Sequence, residues 1–397
     1  MLFADDSSLL QVIDNPINDA LSLNSDLEKI HLWSTNWLME LNPAKTEEMC
    51  FTSKRLYPVH PPLFLNKTMI KSVSSHKHIG VIFSSNMSWH QHIESIVTKA
   101  SKSVQLFSVL KFKLSRQVLE KIYKSFIRSL LEYADIVWHG CTIEESNLVE
   151  RIQYHCSLIV TGAIKGSSYS ATRKELGWES LSDRRHIHRL LLFHNIVNGL
   201  TREYLTTLLP YAITVICNYD LRNSRNLRPI RFSTDRFGKS FTPYSITAWN
   251  NLDLTLRTLD FSKFREHLFK TIRPPKFSHF SFGSRHSCIL ISRLRMGTCS
   301  LNYSLFTRGL VSSPACSCGC PFETISHYLL HCPTYNYQRS VLIGKLSGLL
   351  VHILDFHSLA NNAKEMLILQ GSSFCSFNFN CRIIEATHVY IATTNRF

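Results

Sequence analysis

The sequence predicts an α+β protein with a small α/β edge first, long helices after it and a cysteine-rich region near the end. Three observations carry the prediction. Before Trp89, a carboxylate turn, one helical pattern and two apolar runs are separated by turn residues. From His90 onward the apolar residues recur at helical spacing over long stretches. Cys316, Cys318, His327 and Cys332 then fall within a short span.

Phe3-Ala4-Asp5-Asp6 opens the chain, followed by the apolar pair Leu9-Leu10. Two adjacent carboxylates at a strand-turn-strand are what a site for divalent cations and a triphosphate requires. Asp14-Asn15-Pro16 is a helix-start signal, with proline at the first helical position. Ile17, Leu21, Leu27, Ile30, Trp33 and Trp37 continue it as an amphipathic helix to near Asn42-Pro43. Glu48 to Thr52 and Ile79 to Phe83 read as strands. Helical patterns follow from His90 to Lys113, Ser115 to His139, Glu144 to Thr161 and Asp183 to Asn198, the last stopped by Gly199. Val104, Leu106, Leu110, Ile122, Phe126 and Leu130 are the expected core positions of this bundle. Pro210 to Pro275 is irregular, with strand-like pieces, and Arg273-Pro274-Pro275 is the best linker candidate. Ser292 to Leu305 reads as a helix, and a weak helical tail closes the chain.

A chain of 397 residues with 44% hydrophobic content can build two or three domains with cores. Its 44 Lys+Arg against 29 Asp+Glu give +15, which favours a polyanionic partner. Nucleic acid is the simplest such partner, although an acidic membrane surface satisfies the charge too. The surplus concentrates in Lys99, Lys102, Lys111, Lys113, Arg116, Lys121, Lys124 and Arg128, opposed between Gln91 and Leu130 only by Glu94 and Glu120. That imbalance favours a phosphate-contacting face over a merely solvated one. No secretory signal stands at the start, and the stretch from Val341 to Leu359 is broken by Lys345, His352 and Asp355, so it does not read as a membrane span.

Cys316-Ser317-Cys318, His327 and Cys332 form the spacing C-x-C-x8-H-x4-C. Three thiolates and an imidazole suit a closed, structural tetrahedral zinc site. Cys320 is an alternative to Cys318, and buried free thiols beside a surface histidine are the competing reading. Gly319 permits the turn after the first pair.

In this order the segments resemble the reverse transcriptase of non-LTR (LINE-type, jockey-like) retrotransposons, in its C-terminal part. Phe3-Ala4-Asp5-Asp6 is similar to the palm metal motif, and Leu41-Asn42-Pro43-Ala44-Lys45-Thr46-Glu47 to the stretch after it. His78-Ile79-Gly80-Val81, with Trp89 and His92, resembles the primer grip and the start of the thumb. Leu131-Glu132-Tyr133-Ala134 with Trp138, Glu150-Arg151-Ile152-Gln153, and Leu176-Gly177-Trp178-Glu179-Ser180-Leu181 with Arg184-Arg185 resemble thumb signatures. Ser240-Phe241 with Trp249-Asn250 is similar to the connector, and Cys316-x-Cys318-Gly319, Glu323-Thr324, His327 and Cys332-Pro333 to the zinc knuckle.

The resemblance implies a truncated palm over 1–88, a helical thumb over 89–209, a connector over 210–310 and a zinc-knuckle region over 311–397. It implies that Asp5 and Asp6 hold Mg2+ and that Lys45 sits near the phosphates, although a helix-end cation is an equal reading of Lys45. The cations from Lys99 to Arg128 would grip an RNA–DNA template–primer, and Zn2+ would be held by Cys316, Cys318, His327 and Cys332. Tyr328 and Tyr335 would be available for base stacking. The family's further palm aspartate, fingers and endonuclease find no match in this chain. The expectation is therefore an RNA-directed DNA polymerase fragment that binds nucleic acid but is inactive alone, in the nucleus or cytoplasm. A non-catalytic zinc-containing nucleic-acid-binding module, or an inert remnant with an exposed sheet edge, is the alternative.

Overall fold

The computed structural model describes residues 2–3, 6–39, 41–52, 58–210, 226–272, 278–350, 353 and 355–397. Two compact units divide the chain, Met1–Ser95 and Ile96–Phe397. The first carries the short strands. Leu2–Phe3 pairs antiparallel with Asp6–Ser7, the two strands of the expected strand-turn-strand. The helix Pro16–Asn36 begins as predicted, because the Asn15 side chain accepts the amides of Ile17 and Asn18 at 3.1 and 3.2 Å. It stops short of Asn42, and Leu38 takes a left-handed φ of 56° just past its end.

Phe64–Leu65 and Thr68–Met69 form a hairpin across Asn66-Lys67, both at positive φ, and Ser75–His78 pairs with Val81–Ser84 across Ile79-Gly80 in the same way. Such turns match the right-handed twist of the flanking strands. The strand expected from Ile79 therefore begins at Val81. Glu47–Glu48 runs parallel to Lys71–Ser72. The core of this unit is small: Ala20, Leu63, Leu65 and Ile70, backed by Leu23, Leu27 and Leu41. Ile17, Leu21, Trp33 and Trp37, expected on the inward face of the helix, are exposed.

In the second unit the expected helices form with three revisions. The pattern from Ser115 to His139 is not one helix. Arg116–Ile122 passes into a π-helical stretch at Tyr123–Arg128 and then Ser129–Leu131, and Asp135–Trp138 follows a break at Ala134, whose φ is 51°. The Trp138 indole donates to the Tyr133 carbonyl at 3.0 Å, satisfying an acceptor of the interrupted backbone. The core here is Phe107, Leu119, Tyr123, Ile127 and Leu131, whereas Leu106 and Phe126 are 70% and 71% exposed. The inward face therefore lies one residue out of phase with the predicted one.

The region after Pro210 is also helical where it is described, not strand-like: Phe241–Asn250 and Phe261–Ile272 pack on Leu181–Val197 through Phe193, Ile246, Trp249 and Phe264. The residues Arg273, Pro274 and Pro275 lie outside the described set. Third, the helix expected over Ser292 to Leu305 is split into Arg285–Arg295 and Asn302–Phe306 around Gly297 at φ 69°. The C-terminal tail is no weak appendage. Asn336–Leu350, Asn361–Gln370 and Phe377–Thr394 enclose an extended core with Ile291, Leu294, Tyr328, Leu329 and the cysteines. No helix among the described residues is long and apolar enough to cross a membrane.

Candidate metal centre and nucleic-acid interface

Cys316, Cys318, His327 and Cys332 converge, with their four ligand atoms within 4.8 Å of one another. Cys316 Sγ and Cys332 Sγ are 3.8 Å apart, and Cys318 Sγ lies 3.3 Å from His327 Nε2. A disulfide would bring the sulfurs to about 2.05 Å. By contrast, a tetrahedron with metal–sulfur bonds of about 2.3 Å has sulfur–sulfur edges of about 3.8 Å. The Cys316–Cys332 spacing is compatible with two ligands of a tetrahedral metal ion, and the donor set of three thiols and one imidazole fits zinc. Cys320 is not in the set; its thiol faces the Phe322 carbonyl at 3.6 Å.

Local backbone chemistry assembles the cluster. Gly319, at φ 92°, donates to the Cys316 carbonyl at 3.0 Å, and Cys316 donates to the Cys320 carbonyl at 2.9 Å, closing a tight loop around the first pair. His327–His331 is a π-helical turn, and the Cys332 amide donates to the His327 carbonyl at 2.7 Å. That i to i+5 bond explains the four-residue gap: the wider turn returns Cys332 beside His327. Thr324 Oγ1 accepts the His327 amide at 3.1 Å. Glu323, buried, accepts the Asn302 amide and both Arg396 donors between 2.6 and 2.7 Å. The Arg339 guanidinium donates to the carbonyls of Leu329 and Cys332 at 3.0 and 2.6 Å. These side-chain bonds help to anchor the loop. Burial lowers the His327 pKa, favouring the neutral imidazole that ligates a metal. Burial pushes the Cys316 thiol up to about 11, whereas the Cys320 backbone amide draws Cys318 down.

Tyr328 and Tyr335, expected to face bases, are buried instead. Tyr328 bonds Thr394 Oγ1 at 2.7 Å and packs against Tyr335, Tyr390 and Phe397. Their large apolar faces close the core under the cysteine loop, so neither ring is free to stack on a base.

The basic stretch divides by exposure. Lys99, Lys102, Lys113 and Lys121 are exposed, and Lys111 is half-buried with its ammonium 5.2 Å from the Phe112 ring. Lys124 lies 3.5 Å from Glu120, and Arg128 lies 3.6 Å from Glu132. Arg116 points inward. Its guanidinium donates to Glu175 Oε1 at 2.8 Å and to the Glu175 carbonyl at 2.6 Å, and Arg295 and Ser292 hold the same carboxylate. Burial alone would raise the Glu175 pKa, but Arg295 and Arg116 hold it down at about 2.

The thumb-like segments form a second interior network. Tyr123 stacks on Trp178 at 4.1 Å and donates to Gln153 Oε1 at 2.5 Å; Gln153 in turn donates to the Tyr169 hydroxyl and the Glu179 carbonyl. Glu150 accepts from Tyr169 and from the Ser182 amide. Arg184 bridges Glu132 and Glu179. These residues hold helices together. The signal that could have found them is the alternation of charged and aromatic residues on helices with apolar neighbours. His92, at the segment resembling the primer grip, accepts the Ile82 amide at 3.3 Å, and Trp89 packs on Phe83.

Of the carboxylate pair, Asp5 lies outside the described residues, and Asp6 is described by its backbone pairing with Phe3. Lys45 is exposed on a turn closed by its amide to the Asn42 carbonyl at 3.2 Å.

The chain's homologues are RNA-directed DNA polymerases and a Pol polyprotein of insect retrotransposons, and the resemblance to non-LTR reverse transcriptases is borne out. It is 21% identical over 204 residues to a probable RNA-directed DNA polymerase from transposon BS of Drosophila melanogaster, covering 49% of this chain and 22% of that protein. It is 24% identical over 135 residues to a probable RNA-directed DNA polymerase from transposon X-element of the same fly, covering 33% and 14%. It is 23% identical over 331 residues to the retrovirus-related Pol polyprotein from type-1 retrotransposable element R1 of Bradysia coprophila, covering 79% and 29%. The chain thus spans less than a third of the length of each relative. No protein-family model matches it, and no solved structure does.

Proposed function

We propose that this chain is a template–primer-holding portion of a retrotransposon RNA-directed DNA polymerase. The observation that carries the reading is the similarity over 79% of the chain to a retrotransposon Pol polyprotein. Exposed Lys99, Lys102, Lys113 and Lys121 support a face that grips the backbone of an RNA–DNA duplex without reading its sequence. Lys111, Lys124 and Arg128 belong to the same basic run, the last two beside Glu120 and Glu132, and Arg116 is buried against Glu175. In the proposed layout 1–88 belong to the palm, 89–209 to the thumb, 210–310 to the connector and 311–397 to the zinc-knuckle region. Cys316, Cys318, His327 and Cys332 hold a structural Zn2+. Asp5 and Asp6 are the proposed Mg2+ ligands, with Lys45 toward the phosphates; bound Mg2+ supplies Lewis-acid activation of a primer hydroxyl and charge stabilisation of the leaving pyrophosphate.

The test combines binding and extension on a primed RNA template. Binding should weaken steeply as salt rises, because each neutralised phosphate releases counterions. Absence of salt-dependent binding by folded protein overturns the reading. Extension that disappears in Asp5→Ala/Asp6→Ala assigns catalysis to this chain. Binding without extension makes the chain the non-catalytic part of a larger active assembly.

A further inference from the structure

Three stretches of sequence without a carboxylate meet in the unit Ile96–Phe397. Seven Lys or Arg and no Asp or Glu lie between Glu266 and Glu323, five between Glu94 and Glu120, and four between Glu150 and Glu175, again without an acid. Arg285 joins them. Its guanidinium donates to the Lys111 carbonyl at 3.0 Å and to the Val160 and Ile159 carbonyls at 2.6 and 2.7 Å, so its own charge serves the C-terminal end of the helix Ile143–Thr161. Arg293 stands two turns further along Arg285–Arg295, about 12 Å by the helical rise, and donates from Nε to the Gly162 carbonyl at 2.9 Å. Arg308 donates from Nε and Nη2 to the carbonyls of Ser304 and Cys299, both at 2.9 Å.

Other donors of this group are unclaimed. Both terminal nitrogens of Arg293, Nη1 of Arg308 and the Lys111 ammonium have no hydrogen-bond or ion-pair partner among the described residues, and none of them is sealed from solvent. Burial, then Arg293 and Arg285, lower the Lys111 pKa; burial, then Arg308, lower that of Arg293. The acids at the ends of the stretches are engaged inside, Glu175 by Arg116 and Arg295 and Glu323 by Arg396. Cations that repel one another at the surface without a carboxylate between them attract a polyanion.

The helix to which Arg308 is bonded, Asn302–Phe306, carries rings. Tyr303, Phe306 and Phe322 are 42%, 45% and 51% exposed. Buried Glu323 accepts the Asn302 amide at 2.7 Å and so brings the two segments together, and Tyr303 meets Phe322 edge to face at 5.9 Å. Tyr328 and Tyr335, the rings expected to stack on bases, are inside; these three are outside, within the longest stretch that lacks an acid.

We propose that Lys111, Arg293 and Arg308, together with Tyr303, Phe306 and Phe322, form a binding surface for an unpaired nucleic-acid strand. The cations take phosphates and the rings take bases, whereas the bases of a duplex are already stacked on one another. The inference rests on the nucleic-acid reading above and adds to it a strand other than the duplex gripped at Lys99, Lys102, Lys113 and Lys121.

Anisotropy titrations of the whole chain with a fluorescein-labelled oligouridylate, and with an RNA–DNA duplex of equal length, test it. The wild type should bind the strand, and Tyr303→Ala/Phe322→Ala should lower that affinity about tenfold or more while duplex affinity stays within about twofold. Lys111→Gln should reduce the salt dependence of strand binding. Photo-crosslinking of a thiouridine-containing strand to the wild type, which needs no variant, should map to peptides that contain Tyr303, Phe306 or Phe322. Crosslinks confined to other peptides overturn the inference, as do unchanged strand affinity in a folded double variant and equal loss of strand and duplex. Displacement of the strand by polyglutamate as readily as by unlabelled oligouridylate of equal charge overturns it too, since the surface would then serve acidic peptides. Duplex binding without strand binding overturns this inference alone; strand binding without duplex binding keeps it and overturns the duplex-gripping reading.

Discussion

At the scale of single residues, charge means different things at the surface and in the interior. Arg116 and Lys121 stand five residues apart in the same basic run, but Arg116 is buried against Glu175 and Lys121 is exposed. Charge counting along the sequence cannot separate them, since the carboxylate that claims Arg116 is distant in the chain. Glu175 is held below its ordinary value of 4.5 at about 2, so the folded state keeps it ionised where the unfolded chain takes up a proton. The stabilisation is whole above about pH 5, reaches about 3 kcal/mol, and is lost as the pH falls toward 2. Urea midpoints measured from pH 7 down to pH 3 should fall for the wild type and stay flatter for Glu175→Gln. That variant should itself be destabilised at pH 7 by about 3 kcal/mol, because it leaves Arg295 buried without its carboxylate and Arg116 with only Glu120, 3.5 Å from its Nε. A flat wild-type profile through this window would sink the assignment. Arg116→Ala should behave as a stability mutant, with its melting midpoint falling before any loss of RNA binding.

At the scale of elements, sequence signals read well where the cause of structure is local. Asn15-Pro16 starts a helix through its own side chain and ring, and the Cys/His spacing foretells a cluster that the π turn at His327–His331 completes. They read poorly where packing decides. Leu106 and Phe107 are equally apolar, yet only Phe107 is inside, and the π stretch Tyr123–Arg128 shifts which residues of the next helix face inward. The C-terminal helices look weak in sequence because apolar residues surround them with little one-sided pattern. Phe377–Thr394 is buried around much of its circumference, whereas Asn336–Leu350 buries only the stripe Arg339, Leu342, Leu346 and Leu350, in which a charged residue and exposed Tyr337 and Val341 blur the pattern. Two predictions belong here. Replacing exposed Lys99, Lys102, Lys113 and Lys121 with alanine should flatten the salt dependence of duplex binding by about one slope unit for each phosphate no longer neutralised, with the melting midpoint unchanged. Cys332→Ser should abolish stoichiometric zinc measured by metal analysis. It should also loosen the helices Asn336–Leu350 and Phe377–Thr394, seen as faster amide exchange there, since Cys332 is both ligand and core residue. A chelator should reproduce that exchange pattern in the wild type.

At the scale of the whole molecule, the two units differ in what they bury. Ile96–Phe397 contains the buried ion networks, the cysteine cluster and two large apolar clusters. Met1–Ser95 has strands of two to four residues, one small apolar cluster and a helix whose Ile17, Leu21, Trp33 and Trp37 are exposed. Short two-stranded pairs are marginal without a larger apolar surface to pack on. A fragment beginning at Ser88, which keeps the whole helix His90–Val109, should therefore fold cooperatively and bind one zinc ion. The fragment of residues 1–95 should show a broad thermal transition and bind a hydrophobic dye such as ANS, because its exposed tryptophans and leucines form the kind of apolar surface that soluble monomers rarely display. A sharp, dye-free transition for 1–95 would show that its small core suffices. Failure of the fragment from Ser88 to fold in the presence of zinc would show that the helical unit draws stability from residues before it. The two results together decide which of the two units folds on its own.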